Sequence, residues 1–191
     1  TANKALIAKY GDQLSKIAED NKVNLEFEAS VCGGVPIIRS LKEGLIANKI
    51  SKIYGIFNGT SNYILSSMDK ENKSFKEVLQ NAKKLGYAES NPKSDLNGDD
   101  VAAKLKILSS LCFNSFLNKN IHVEGIKDID MEDINYAKRL GYKIKLIGYA
   151  ELIGKNIFQR VHPTLIRDSS YVGSIDGVLN AVIVDGNPVG Q

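Results

Sequence analysis

The sequence predicts an α+β fold, a mixed, largely antiparallel sheet with helices packed on one face. Three observations predict it. Apolar residues recur at helical spacing in successive stretches before Leu140. From Tyr142 onward the pattern changes to short alternating runs joined by glycine turns. Strict strand–helix–strand alternation fails in this second half, which argues against a parallel sheet built from crossover units.

Each element has its own local reason. Residues 4–21 carry Leu6, Ile7, Leu14, Ile17 and Ala18 at helical spacing. Residues 25–29 alternate as a strand does. A glycine loop follows at Cys32-Gly33-Gly34, and Pro36 suits the first turn of a helix whose apolar face is Ile37, Ile38, Leu41, Leu45 and Ile46. Residues 50–57 read as a strand and Asn58-Gly59 as a sharp turn. Thr60 or Ser61 is placed to cap the next helix, which holds Tyr63, Ile64 and Leu65.

Residues 75–85 form another helix, closed by Gly86. A polar loop over 87–96 holds Pro92, and Asn97 opens a helix running to about Cys112. Residues 131–140 are a further helix. Residues 143–147 and 156–161 are strands joined by a hairpin around Gly154-Lys155-Asn156, and 181–184 is the last strand before the Asp185-Gly186 turn. No internal repeat or low-complexity segment interrupts this order.

Bulk properties narrow the function. A chain of 191 residues fits one domain, and 43% hydrophobic with 25% charged residues suits a packed core rather than disorder. The formal charge of +3 comes from 25 basic and 22 acidic residues, with the lysines scattered. That is no footprint for nucleic acid. No apolar run approaches the roughly 20 residues needed to cross a bilayer, and no signal-peptide pattern opens the chain. Cys32, Cys112, His122 and His162 lack zinc-site spacing, so two reduced thiols in a cytoplasmic protein are expected. Thr1 without an initiator Met, and a turn at Asp185-Gly186-Asn187-Pro188 close to the other end, look like the cut edges of a longer protein.

The most informative stretch is 86–104. Glu89, Asp95, Asp99 and Asp100 lie in it, near the start of a helix. The positive end of a helix dipole stabilises acids there, which by itself accounts for Asp99 and Asp100. Asp100 and Lys104 are four apart and share a helical face whose continuation is Ile107 and Leu111. As a solvated pair they would contribute only about 0.3–0.5 kcal/mol. On the floor of a cleft, a lysine held between a helix N-terminus and an acid can serve as general acid or base.

The glycine loop admits three readings. Amides at the following helix start favour an anion; carbonyls with the Glu28 carboxylate favour a cation with oxygen ligands; a tight turn needs no ligand at all. The stretch Asn58-Gly59-Thr60-Ser61-Asn62 offers donors suited to a small polar substrate and equally to helix capping. No glycine fingerprint for a dinucleotide pyrophosphate occurs.

Taken in order, several segments resemble the homoserine dehydrogenase family. They are Thr1-Ala2-Asn3-Lys4-Ala5-Leu6-Ile7-Ala8, then residues 27–39 from Phe27 through Cys32-Gly33-Gly34 to Arg39. Residues 55–65 around Phe57-Asn58-Gly59-Thr60-Ser61-Asn62 and the 86–104 stretch follow, then Glu124-Gly125-Ile126 and residues 140–146. Each alone is weak; the ordered set covers nearly the whole chain.

The resemblance implies a catalytic domain over 1–191, for substrate binding and dimerisation, without the nucleotide-binding domain expected before it. It implies NAD(P)-dependent interconversion of homoserine and aspartate 4-semialdehyde, on the route to threonine, methionine and isoleucine. By the same resemblance Lys104 is the proton donor, and Glu89 and Asp100 hold the substrate ammonium. Lys4 stands between cofactor and substrate, Gly86 touches the nicotinamide cofactor and Thr60 lies near the substrate. A sodium-type cation would rest on Glu28, Val31, Gly33 and Val35, and the protein would be a homodimer. Two positions depart from the family's pattern: Asn91 stands where an Asp is expected, and Cys32 where a smaller residue is usual. Two further classes remain, the substrate domain of another amino-acid aldehyde oxidoreductase and a non-enzymatic dimerisation or amino-acid-binding module.

Overall fold

The computed structural model describes residues 1–114 and 121–191. Five strands form one sheet in the order β2-β4-β3-β1-β5. They are β1 (Lys49–Ile56), β2 (His122–Val123), β3 (Tyr142–Ile153), β4 (Asn156–Arg167) and β5 (Ala181–Asn187). The β1–β3, β1–β5 and β3–β4 pairs are antiparallel, and the short β2 runs parallel to β4. The sheet is therefore mixed and largely antiparallel, as the change of pattern at Tyr142 predicts.

Alternation along the strands sorts side chains onto two faces. Ile53 of β1, Ile144, Leu146 and Ala150 of β3, Val161 of β4, and Val182 and Val184 of β5 join the main core. Helices α1 (Lys4–Asp20), α3 (Gly59–Glu71), α6 (Asp99–Phe113) and α7 (Met131–Arg139) supply its other wall. The opposite face gathers Tyr54, Ile56, Ile147, Tyr149, Ile166 and Ile183 around Val172 of the four-residue helix α8 (Tyr171–Ser174). Most of the helices thus cover one face, and α8 packs against the other.

Four local expectations are corrected. Residues 25–29 form no strand: the chain runs without a partner strand to a 3-10 turn at Glu28–Ser30. Leu25 and Phe27 alternate because they pack against the core, not because they pair. The helix after Pro36 is short (α2, Ile37–Arg39) and passes into a π turn at Ser40–Gly44, closed by Leu45 N–H donating to the Ser40 carbonyl. The wider turn rotates the residues after it out of helical phase, so Leu41 is buried while Ile46 is 78% exposed.

The cap of α3 is Asn58, whose Oδ1 accepts from Ser61 N–H at 2.8 Å, rather than Thr60 or Ser61. Finally, the polar loop before Asp99 contains a short helix, α5 (Lys93–Asn97), and Asn97 ends that helix instead of opening the next. Gly98, at φ +87°, breaks the two apart, a conformation that costs a residue with a Cβ more than it costs glycine. By contrast α4 (Phe75–Lys84) starts at a full capping box between Ser74 and Glu77, as a sequence signature should.

Candidate active site

The first turn of α6 holds the chemistry. Asp100 is 5% exposed, and its Oδ2 accepts from Lys104 Nζ at 2.7 Å. Lys104 also donates to the Phe57 carbonyl at 2.7 Å, just past the end of β1. Lys4, one residue past the Asn3 cap of α1, reaches Asp100 Oδ1 at 3.0 Å from the more exposed side. Ile107 is 4% exposed and Leu111 packs on the core, so the helical line from Asp100 is a buried one. The pair is largely buried, with side-chain exposures of 14% for Lys104 and 6% for Asp100, and is not a solvated surface pair.

Two further residues complete it. Asn58 Nδ2 donates to Asp95 Oδ1 at 2.8 Å and to Asp100 Oδ2 at 2.9 Å. One amide thus joins two carboxylates to the cap of α3. Burial works against the charged form of Asp100. The Lys104 ammonium, with help from Asn58 and Lys4, outweighs it and holds the carboxyl below its usual range. Asn58 escaped the sequence reading as a site residue because the Asn58-Gly59 turn already explained it. Asp95 was only one of four acids in a run.

Other candidates sit at the rim. Thr60 donates its hydroxyl to the Tyr87 carbonyl at 2.7 Å, and Tyr63 packs on the Tyr87 ring at 5.0 Å between centroids. These contacts tie the 86–92 loop to α3. Glu89 lies on that loop, exposed, and pairs with nothing among the described residues. Gly86, at φ +77°, closes α4, and the space where a Cβ would stand is open within 4 Å. Its backbone can be approached closely by a flat ring.

The glycine loop lies beside the same pair. Cys32 is 2% exposed, in a left-handed conformation at φ +47°, and close enough to Lys104 and Asp100 for both charges to act on its thiol. Burial pushes that thiol up to about 11; Lys104 lowers it and Asp100 raises it. The Glu28 carboxylate accepts from Ile38 N–H and Arg39 N–H, each at 2.8 Å, and so serves the helix start. Ile37 N–H occupies the Val35 carbonyl, while no donor among the described residues reaches the carbonyls of Val31 or Gly33. Those two carbonyl oxygens accept nothing from the described residues, whereas both carboxylate oxygens of Glu28 already accept a backbone N–H. Among the described residues no three His, Cys, Asp or Glu side chains form a metal-binding group.

The charges of this cluster set its chemistry. It offers the Lys104 ammonium with two of its three N–H groups engaged, carboxylates able to hold an amine, and a half-exposed lysine, Lys4, at the edge. That set suits a small zwitterion bearing an oxygen to be protonated or deprotonated. A groove of about 140 Å³ between α1 and α6, lined by Ile7, Phe27, Ile107 and Leu111, lies farther along α6 and contains none of these groups.

The chain is similar to known proteins along its whole length. A family profile described as homoserine dehydrogenase matches residues 36–191. The homoserine dehydrogenase of Neisseria gonorrhoeae is 48% identical over 192 residues, covering 100% of this chain and 44% of that protein. The crystal structure of a homoserine dehydrogenase from Thiobacillus denitrificans superimposes with a TM-score of 0.96 at 47% identity, over 100% of this chain and 44% of that one. A hyperthermophilic archaeal homoserine dehydrogenase mutant in complex with NADPH matches at a TM-score of 0.84 and 28% identity, over 100% of this chain and 55% of that one. The chain spans less than half the length of the curated relatives it matches.

Proposed function

Because the chain belongs to the homoserine dehydrogenase family, we propose that it is the catalytic domain of an enzyme interconverting L-homoserine and L-aspartate 4-semialdehyde. The reaction serves the synthesis of threonine, methionine and isoleucine. The observation that carries this reading is the buried Asp100–Lys104 pair, with Lys4 and Asn58 converging on it.

The cofactor is NAD(P), which takes or gives the hydride when bound. Lys104 stands at the substrate's C4 oxygen. It donates a proton to the aldehyde oxygen in reduction and receives one from the hydroxyl in oxidation. Asp100 lowers the freedom of that ammonium, and the Phe57 carbonyl aims it. Asp100 and Glu89 hold the substrate ammonium. Lys4, whose side chain is 41% exposed, swings from Asp100 to face the substrate carboxylate and the cofactor. Thr60 and Gly86 frame the opening. Glu28 and the carbonyls of Val31, Gly33 and Val35 hold a sodium-type ion that would stiffen the loop beneath Lys104.

Two copies pair through the sheet face opposite the helices. Support comes from Tyr54, Tyr149 and Ile183 on that face and from Phe158, 54% exposed on β4. No described helix is long and apolar enough to cross a membrane, and two unpaired thiols suit a cytoplasmic protein.

The test is homoserine oxidation by the full-length protein, wild type beside Lys104→Ala. The reading expects a loss of at least about 10²-fold in kcat with the fold retained. Undiminished turnover would sink it.

A further inference from the structure

We propose that a buried lysine, Lys145, with Asp176 forms a clasp that positions the Asp100–Lys104 cluster by seating the 175–180 segment on the first turn of α3. The inference rests on the reading of Asp100 and Lys104 as the reacting site.

Lys145 lies on β3 and is 1% exposed. Its ammonium donates to Asn62 Oδ1 at 2.9 Å, Ser66 Oγ at 3.2 Å, the Ile175 carbonyl at 2.7 Å and Asp176 Oδ1 at 2.8 Å. Four acceptors surround a group with three donors, so every N–H is spoken for. Asp176 also takes Lys143 at 3.1 Å and Lys70 at 3.0 Å. A buried ion pair is a weak route to stability, because apolar residues of the same volume serve as well or better. What this one does is join three separate pieces of chain: β3, α3 and the segment before β5.

Asn62, 1% exposed, extends the join. Its Nδ2 donates to the carbonyls of Ile175 at 3.2 Å and Leu179 at 3.1 Å. Between those two points the segment touches backbone directly, since a Cβ on Gly59 would stand 2.7 Å from the Val178 carbonyl oxygen. Gly59 follows Asn58 immediately. The seat of the 175–180 segment therefore sets where α3 begins, and with it the reach of Asn58 to Asp95 and Asp100. Those two bonds, at 2.8 and 2.9 Å, tolerate a displacement of only a few tenths of an ångström before they weaken. Lys145 and Asp176 touch no reacting atom; they are positioning residues.

The experiment uses the full-length enzyme and compares Asp176→Asn with Asp69→Asn, which removes the more exposed Lys138–Asp69 pair on the same helix. Homoserine KM, cofactor KM, kcat and Tm are measured. For Asp176→Asn we expect homoserine KM to rise about tenfold, with cofactor KM unchanged within twofold. Asp176→Glu should recover part of the loss, and Asp69→Asn should leave all three kinetic constants within twofold. A lowered Tm with homoserine KM unmoved overturns the proposal, as does an equal rise in both KM values. Should Asp176→Asn fail to fold, Lys70→Met removes only the exposed arm of the clasp and should raise homoserine KM two- to threefold, about the limit of reliable detection; no rise overturns the proposal. Wild-type protein without homoserine turnover removes the functional reading and the clasp's role together, whereas active wild type with a neutral Asp176→Asn removes the clasp alone.

Discussion

Lys145, which is buried, and Lys104, which is partly buried, each lie against an aspartate, and they differ in what is left over. Lys145 has four acceptors for three donors and is sealed at 1% exposure. Lys104 has two, Asp100 and the Phe57 carbonyl, and its side chain keeps 14% exposure. The saturated lysine can only hold structure together. The unsaturated one retains an N–H without a partner among the described residues, the kind of group that can pass a proton to a ligand. Burial of a charge does not mark a reactive group; an unused donor with access does.

The sharpest way to break this contrast is to exchange its consequences. Lys104→Ala should cost at least about 10²-fold in kcat with little change in thermal stability, read by steady-state kinetics and calorimetry. Lys145→Met should do the reverse in emphasis. It strands buried acceptors on Asn62 and Ile175, and denaturant melts should show a loss of about 3 kcal/mol, the lower end for a broken buried pair because Asp176 keeps Lys70 and Lys143. If Lys145→Met lost kcat as steeply as Lys104→Ala while staying folded, the distinction would fail.

Acid sharpens the comparison more gently. Burial raises Asp176, but Lys145, Lys70 and Lys143 together drive it far below its usual value; Asp100 is lowered less by its own partners. Each folded carboxyl therefore binds its proton less readily than the unfolded chain does. Stability from both is complete above the unfolded value near pH 4 and is lost as pH falls through the folded values. Melts between pH 2.5 and 6 should show this loss, and Asp176→Asn should flatten it. An unchanged acid slope in that variant would show that the clasp carries no such linkage.

The smallest effect concerns Cys32, on whose thiol the charges of Lys104 and Asp100 both act. With the thiol pushed up to about 11 and only 2% exposed, alkylation of native protein at pH 8 should be slow and should accelerate when the chain unfolds. Rapid native labelling, followed by mass spectrometry, would show a loop looser than this geometry allows.

How much of this could be read from residues alone depends on distance along the chain. Asp100 and Lys104 are one helical turn apart, so their shared face, and its continuation into Ile107, were legible in the chain itself. The hairpin at Gly154 and the change of texture at Tyr142 were equally local. Residues 25–29 misled because alternation reports a side chain's surroundings, not whether a neighbouring strand exists. Lys145 was illegible for a related reason. It alternates with Ile144 and Leu146 as a solvent-facing residue would, and nothing nearby announces Asp176, 31 positions later.

By itself, then, the sequence determined the helical and strand periodicities, the acid–lysine pair on one face and, through an ordered set of segments, the family. Tertiary structure alone decided that Asn58 reaches Asp95 and Asp100, 37 and 42 positions away, and that one buried lysine keeps a spare donor while another has none. Periodicity is a short-range property of the backbone. Which polar groups are satisfied is settled only when distant segments fold against each other and water is excluded.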